Sequence, residues 1–202
     1  MFCDRCGEYA VRRAGLVEEI GTFRCARCHR EFERRVLPLS IVTGASGAGK
    51  TSIIPPLQRL LTECGVLDKD AMWATTWDMA YNNLLRVASA LAQGGRHTVI
   101  VGTILPEMLD PLSDRCLVGM IRYANLHCDD ENRARRLLTR RTWDIPDDEF
   151  IDQHRVFAQW LLDHAATDFD PPMSTFDTTS RPPGDVARDV AAWVRNTNEG
   201  KP

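Results

Sequence analysis

The apolar residues of the chain follow different patterns on the two sides of Pro38. After Pro38, short apolar runs alternate with longer stretches of helical character, which is typical of a parallel sheet in an α/β fold. The apolar runs predict five strands, at 39–42, 71–74, 98–102, 120–126 and 174–176. The stretches between and after them predict helices near 50–64, 78–93, 107–117, 130–141, 148–166 and 184–196. The change of pattern at Pro38 predicts two domains, at 1–37 and 38–202.

The first domain carries few apolar side chains and four regularly spaced cysteines. Two C-x2-C pairs, Cys3 with Cys6 and Cys25 with Cys28, are separated by 18 residues, which is typical of a four-cysteine zinc site. The segment between them alternates loosely and predicts a hairpin. So short a segment cannot bury a self-sufficient core, so Zn2+ would supply folding free energy. We therefore predict a structural zinc ribbon, with a redox-active cysteine pair as the alternative.

Composition and charge narrow the class of protein. An apolar content of 44% with 26% charged residues is globular, and no apolar run approaches the roughly 20 residues of a membrane span. The start of the chain lacks the apolar core of a secretory signal, so we expect a soluble, cytoplasmic protein with no membrane partner. The net charge of -3 argues against a surface built throughout for nucleic acid.

The charge of the predicted ribbon bears on its role. Residues 1–37 contain eight arginines and six acidic residues, and four thiolates with one Zn2+ would cancel the remaining excess. A ribbon without excess positive charge is better suited to brace a neighbouring domain or contact a protein than to bind nucleic acid.

A glycine-rich motif directly follows the first strand predicted after Pro38. It has the full G-x-x-x-x-G-K-T pattern, made of Gly44, Ala45, Ser46, Gly47, Ala48, Gly49, Lys50 and Thr51 and followed by Ser52. Its glycines let backbone N–H groups converge on phosphate oxygens at a helix N-terminus, where the helix dipole favours anions. Lys50 would reach the β- and γ-phosphates, and the Thr51 hydroxyl would be a ligand for Mg2+. The motif predicts a nucleotide-phosphate site.

With this motif, residues 38–196 resemble the P-loop kinases of small molecules, which include the nucleoside and nucleotide kinases, shikimate and gluconate kinases and chloramphenicol phosphotransferase. The resemblance implies a three-layer α/β P-loop NTPase fold with a five-stranded parallel sheet. It also implies ATP and Mg2+ as donor and metal, and a small-molecule acceptor. In that family an acidic residue follows the second strand, an arginine-bearing lid follows the fourth, and an adenine-contacting loop follows the fifth.

Asp78 is the residue that the resemblance assigns to the acidic position after the second strand. A carboxylate there would take the proton of the attacking hydroxyl. The alternative is that Asp78 is a helix N-cap. Asp70 becomes the candidate if the strand lies elsewhere.

The segment 129–141 is rich in arginine and is the candidate lid. Arg133, Arg136 and Arg140 recur on one helix face, and the pair Arg136 and Arg140 resembles the lid arginines of the family. Guanidinium groups can neutralise the charge of a transferring phosphoryl group. A solvated helix face and a track for nucleic-acid phosphates are the alternatives.

Two further regions are candidates for substrate contacts. Asp177 and Thr178 follow the last predicted strand, where the resemblance implies contacts to adenine, although ordinary turn chemistry explains them equally well. Trp73, Trp77, Tyr81 and Trp143 would lie near the acceptor, where a flat ring can stack on a planar substrate, but we expect them to fill the core.

These residues together predict an ATP-dependent kinase that phosphorylates a hydroxyl or phosphate of a small molecule. The third predicted strand ends in Val101, Gly102 and Thr103 without the aspartate that holds Mg2+ in many P-loop proteins, which disfavours a switch-type NTPase. Two alternatives remain at this point: a polynucleotide 5'-kinase, and a non-catalytic ATP-binding module that docks a partner through the ribbon.

Overall fold

The computed structural model describes residues 3–8, 11–139 and 147–198. Its N-terminal part is an antiparallel sheet of three strands, β1 (Val11–Val17), β2 (Ile20–Cys25) and β3 (Glu31–Arg35), which we call the N-terminal sheet. β1 and β2 form the hairpin expected between the two cysteine pairs. Most side chains of these strands are exposed, because only alternate positions face inward.

The second sheet has five parallel strands and confirms the predicted fold class. Its order is β5-β6-β4-β7-β8, and we call it the parallel sheet. Its strands are β4 (Leu39–Thr43), β5 (Gly65–Asp68), β6 (Thr98–Val101), β7 (Ile121–His127) and β8 (Ser174–Asp177). Since all strands are parallel, their carboxyl ends meet at one edge, where ligands of open α/β sheets bind.

Helices cover both faces of the parallel sheet. They are α1 (Lys50–Leu60), α2 (Trp77–Gln93), α3 (Pro106–Leu109), α4 (Asp130–Leu138), α5 (Asp148–His164) and α6 (Pro183–Asn198). Val42 of the central strand packs in one apolar cluster with Leu57 of α1 and Val190 of α6. Ile41 faces the other side and packs with Leu84 of α2 and Leu161 of α5. The alternation of Ile41 and Val42 therefore produces the expected three layers.

One predicted strand is wrong, and this changes the site. In chain order, the second strand of the parallel sheet is β5 (Gly65–Asp68). The predicted strand 71–74 instead falls at the end of a 3-10 helix (Lys69–Met72) and in the loop after it. β5 is short and lies at the sheet edge, where it pairs with β6 alone, so its apolar signal is weak. The predicted helix at 107–117 is also divided, into α3 and a second 3-10 helix (Ser113–Leu117).

The two sheets share a small apolar cluster. Val11, Phe23 and Val36 from the N-terminal part pack against Leu117 of the second 3-10 helix, and all four are less than a tenth exposed. Polar contacts extend this interface. The Gln93 side chain at the end of α2 exchanges two hydrogen bonds with the backbone of Arg35 (3.2 and 2.9 Å).

Candidate functional site

The P-loop lies between the end of β4 and the start of α1. Gly47 and Gly49 have φ angles of 82° and 92°, in the left-handed region that favours glycine. A Cβ on Gly47 would also lie 2.8 Å from Cγ of Arg133, so the lid helix α4 packs closely under the loop. The Lys50 ammonium donates to the carbonyl oxygens of Gly44 (2.6 Å) and Ala45 (2.9 Å). The loop therefore has the strained glycine conformation and placed lysine that a phosphate cradle requires.

A cleft of about 650 Å³ opens over this loop at the carboxyl edge of the sheet, within the volume range of small-molecule sites. Several of the predicted nucleotide contacts line it: Ser46, Gly47, Gly49, Lys50, Thr51, Ser52, Arg136 and Thr178. Gly44, Ala45 and Ala48 are buried within the loop and contribute backbone. Arg140, predicted as a second lid arginine, lies outside the described residues, as does Trp143.

The carboxylates that line the cleft are Asp68 and Asp70, whereas Asp78 does not. Asp68 ends β5, opposite Val101 of β6, and its Oδ1 accepts the backbone N–H of Asp70 (3.0 Å). Asp78 is exposed in the first turn of α2. The helix N-cap is Thr76, whose hydroxyl accepts the N–H of Met79, so Asp78 is not the cap either. The choice of Asp78 followed from the misplaced strand.

Lys69 is a cleft residue that no pattern in the sequence indicated. Its side chain packs across Gly102, where a Cβ would lie 2.3 Å from the Lys69 Cβ, and is only 14% exposed. Its Nζ lies 3.0 Å from Oδ1 of Asp70 and 4.3 Å from the centre of the Trp77 ring. A cation is therefore held between a carboxylate and an aromatic face at the edge of the cleft.

The lid arginines have different environments. Arg133 is 1% exposed and pairs with Asp130 (2.8 Å), so it supports the loop from beneath rather than facing outward with Arg136. Arg136 lines the cleft and donates to the carbonyl oxygens of Thr178 (2.6 Å) and Thr179 (3.0 Å). The expectation that the arginines of this helix share one exposed face is wrong for Arg133. Arg136 does face the cleft, where it could contact a bound phosphate.

The loop after β8 joins this side of the cleft. The Thr178 hydroxyl is buried and bonds the carbonyl oxygens of Ala48 and His127, which fixes the P-loop to β7. Asp177 accepts from the backbone N–H and hydroxyl of Thr179, as in an ordinary turn, and hydrogen bonding from Thr179 lowers its pKa. Arg181 lines the cleft and was not singled out from the sequence.

His154 of α5 contacts the P-loop. Its Nδ1 accepts the backbone N–H of Ser46 at 3.4 Å. Burial, with the positive charges of Lys50 and Arg133, lowers the pKa of His154 below its usual 6.5. The neutral ring thus engages an amide of the phosphate cradle.

The four N-terminal cysteines form one cluster. Their sulfur atoms all lie within 4.8 Å of one another, with Cys3 to Cys28 at 3.7 Å and Cys6 to Cys25 at 3.6 Å. Four sulfurs around a tetrahedral Zn2+ at about 2.3 Å would be about 3.8 Å apart, whereas a disulfide would need about 2.0 Å.

The two cysteine turns have the same backbone. In each, the first cysteine carbonyl accepts an N–H four residues on, from Gly7 in one turn and His29 in the other. Gly7 and His29 both have positive φ (72° and 58°). Two matching turns with their sulfurs converging are what a four-thiolate site requires.

Trp73 and Trp77 are exposed, at 68% and 47%, so the expectation that they fill the core is wrong for both. The expectation is correct for Tyr81, which is 7% exposed and packs within the α2 side of the core. Among the described residues, no helix is long and apolar enough to span a membrane.

No model of a known protein family matches the chain, and no curated protein matches it significantly. Solved structures do resemble it. A putative kinase from Chloroflexus aurantiacus superposes with a TM-score of 0.59 at 19% identity, over 83% of this chain and 98% of that one. A gluconokinase from Sinorhizobium meliloti 1021 gives 0.55 at 16%, over 83% and 97%. The Deinococcus radiodurans tunicamycin resistance protein gives 0.55 at 16%, over 79% and 96%. The chain thus has the fold of P-loop kinases.

Proposed function

We propose that the chain is a phosphotransferase that moves the γ-phosphoryl group of ATP to a hydroxyl or phosphate of a small molecule. The observation that carries the proposal is one cleft in which a P-loop with Lys50, the carboxylates of Asp68 and Asp70, and the Arg136 guanidinium all face the same space. Phosphoryl transfer needs a donor cradle, an acceptor base and a charge-stabilising group within reach of one another. The kinases of similar fold support the same assignment.

The donor side is formed by the P-loop and α1. The N-terminus of α1 and the loop amides would bind the β- and γ-phosphates. Lys50 would exchange the carbonyl oxygens of Gly44 and Ala45 for phosphate oxygens. The Ser46 amide would likewise exchange His154 for phosphate.

The residues present also fit Mg2+. The Thr51 hydroxyl lines the cleft and is a hard oxygen ligand of the kind that this ion takes, together with phosphates and water. When bound, Mg2+ would offset the negative charge of the donor phosphates.

Asp68 is the proposed acceptor base, in place of Asp78. Its carboxylate would take the proton of the acceptor hydroxyl as that oxygen forms a bond to the γ-phosphorus. The bond from the γ-phosphorus to the bridging oxygen breaks, its electron pair stays on that oxygen, and ADP leaves. Arg136, released from the carbonyls of Thr178 and Thr179, would bind the transferring group and stabilise its charge.

The four N-terminal cysteines are proposed to hold structural Zn2+ in a ribbon module, with its boundary near Pro38. Zinc-bound thiolates need a reducing compartment, so the proposal includes a cytoplasmic location. The ribbon braces the kinase part through the cluster of Phe23, Val36 and Leu117. We propose no nucleic-acid role for the ribbon.

The first test is transfer from γ-labelled ATP with Mg2+ to separate pools of nucleosides, other small hydroxyl compounds, and 5'-hydroxyl oligonucleotides. Label in a small-molecule pool is expected, and Lys50→Ala is expected to abolish it while the fold is kept. Label on oligonucleotides alone would favour a polynucleotide kinase. ATP binding without any transfer would favour a non-catalytic module, and full turnover by Lys50→Ala would refute the assignment.

The second test compares Asp68→Asn, Asp70→Asn and Asp78→Asn, which differ only in which carboxylate is neutralised. Asp68→Asn is expected to lower kcat by roughly 10²- to 10⁴-fold, the range for loss of general base catalysis, with ATP affinity changed far less. Asp78→Asn should stay near wild type because that side chain does not line the cleft. A large kcat loss in Asp78→Asn alone would restore the assignment made from the sequence.

A further inference from the structure

We propose that Trp73 and Trp77 form a stacking platform for the acceptor, which is a small molecule with a planar aromatic ring and a hydroxyl group. This inference rests on the proposed function, since the platform would hold the substrate of the same site. We call the two tryptophans the aromatic platform. They lie in the segment that follows Asp68, and their exposure calls for an explanation.

The exposure of the aromatic platform is the first observation. Trp73 is 68% exposed and Trp77 is 47% exposed, although each ring would gain from burial. Their ring centres are 4.9 Å apart and nearly perpendicular, so the two rings meet edge to face, and most of the Trp73 surface stays open to solvent. Adjacent exposed tryptophans of this kind are typical of recognition surfaces rather than of a fold's interior.

The platform is anchored to the core, which is the second observation. The Trp77 ring lies 5.9 Å from Tyr81 at an angle of 24°, and Tyr81 is buried in the α2 core with its hydroxyl on Met108. Thr76 is the N-cap of α2 and directly precedes Trp77. The cap therefore fixes the backbone position from which the Trp77 side chain extends. A rigid aromatic surface binds a flat ring with little loss of side-chain entropy.

Proximity to the cleft is the third observation. Neither tryptophan lines the cleft itself, but Trp77 contacts Lys69, which does. Lys69 and Asp70 line the cleft, and the Lys69 ammonium lies 4.3 Å from the Trp77 ring centre. Since Lys69 takes a face of Trp77, the more exposed Trp73 is the main stacking surface. A 3-10 helix rises about 2 Å per residue, so the five steps from Asp68 to Trp73 span about 10 Å along the helix Lys69–Met72. A nucleoside-sized molecule can bridge that span with its ring on Trp73 and its hydroxyl at Asp68.

The reaction balances as in the proposed function. The acceptor hydroxyl oxygen bonds to the γ-phosphorus, its proton passes to Asp68, and ADP leaves with the electrons of the broken P–O bond. The platform supplies no chemistry. It selects acceptors by their ring, because a stacked ring orients the hydroxyl while a flexible polyol gains nothing from Trp73.

The test uses the full chain and two matched acceptor sets. Thymidine, adenosine and a phenyl-substituted diol represent the aromatic set, and gluconate and shikimate the non-aromatic set. Trp73→Leu removes the aromatic face but keeps an apolar side chain, whereas Trp73→Phe keeps an aromatic face. Val17→Ala, at a 76% exposed site in the N-terminal sheet, is the control.

We expect transfer to the aromatic set, with kcat/KM lowered between about fivefold and about a hundredfold by Trp73→Leu, the range of base stacking on an aromatic side chain. Trp73→Phe should recover most of this, and the KM for ATP should stay constant. Transfer to gluconate or shikimate alone, or an equal loss for both sets in Trp73→Leu, would overturn the platform and leave the kinase assignment intact.

A result without any transfer is resolved by binding. Equilibrium dialysis of thymidine and the phenyl-substituted diol is carried out with excess ADP to block the nucleotide site. Binding that Trp73→Leu weakens and Trp73→Phe keeps would support the platform while the kinase assignment fails. No binding of either probe to the wild-type chain would overturn the platform as well.

Discussion

The N-terminal sheet and the parallel sheet reach order by opposite means. In β4 all five residues are buried, and large apolar clusters cover both faces of the parallel sheet. The N-terminal part buries Val11, Phe23 and Val36, and completes that cluster only with Leu117 of the other part. Burial of apolar area stabilises the parallel sheet, while the N-terminal sheet depends on Leu117 of the other part and, in our proposal, on Zn2+ held by its four cysteines. The cleft lies at the edge of the sheet whose order comes from apolar burial.

The largest expected effect comes from removing the metal site. Cys25→Ser, or chelation of the zinc-loaded protein, should abolish amide protection throughout β1, β2 and β3, because so small a core is not stable alone. The parallel sheet should keep its protection and bind ATP within about threefold of wild type, since its own apolar clusters cover both of its faces. Hydrogen exchange measures both.

Cys64→Ser is the matched control, at a buried cysteine of the parallel-sheet core, and should leave zinc content unchanged. If chelation unfolded the parallel sheet as well, the two regions would be one cooperative unit and the contrast would be lost.

Leu117→Ala tests the residue that the regions share. Leu117 is 1% exposed, and truncation of such a leucine costs about 2–5 kcal/mol through lost burial and a cavity. We expect the free energy of unfolding, followed by urea denaturation, to fall by that amount. Leu138→Ala, at a 56% exposed site, should change it by less than about 0.5 kcal/mol. Equal effects would mean that the shared cluster contributes little.

Gln93→Ala should have a smaller and more local effect. It removes both hydrogen bonds to the Arg35 backbone, each worth about 0.5–1.5 kcal/mol, and these lie at an exposed site. Faster exchange of the Arg35 amide is expected, with zinc content unchanged. In Gln93→Glu the carboxylate can still accept from that amide. The Arg35 amide should therefore exchange more slowly in Gln93→Glu than in Gln93→Ala. The same rate for both variants would show that this amide is protected by another contact.

The smallest expected effect is on the pH dependence of stability, to which His154 contributes in the parallel-sheet region. Its pKa lies below 6.5 in the folded chain, so the unfolded chain takes up a proton at higher pH. Stability contributed by the neutral ring is present above pH 6.5 and is lost as the pH falls below it. His154→Gln should flatten this slope in urea denaturation with saturating zinc, leaving the part due to His97, whose pKa burial also lowers. An unchanged slope would contradict the assignment.

The sequence predicts features that local chemistry determines. The P-loop motif consists of consecutive residues. Its position between the strand β4 and the helix α1 was therefore predictable from the sequence. The C-x2-C pairs identified the cysteine cluster for the same reason, since the converging sulfurs follow from two short turns.

What the sequence did not predict depends on tertiary contacts. β5 is four residues long at a sheet edge, and its weak pattern shifted the predicted strand and with it the candidate base from Asp68 to Asp78. Lys69 enters the cleft because Gly102, directly after β6, leaves room for it, and no periodicity of the sequence records that contact. Arg133 and Arg136 share a helix face, yet close packing under Gly47 buries one of them.

The borrowed Leu117 sets an order of events on the ribosome. At roughly 5 to 20 residues per second, the about 80 residues between Val36 and Leu117 take several seconds to synthesise. During that interval the nascent ribbon segment has its four cysteines but lacks the side chain that completes its apolar cluster. If the cluster binds Zn2+ as proposed, metal capture precedes docking, and the supply of zinc during translation becomes part of how this chain matures.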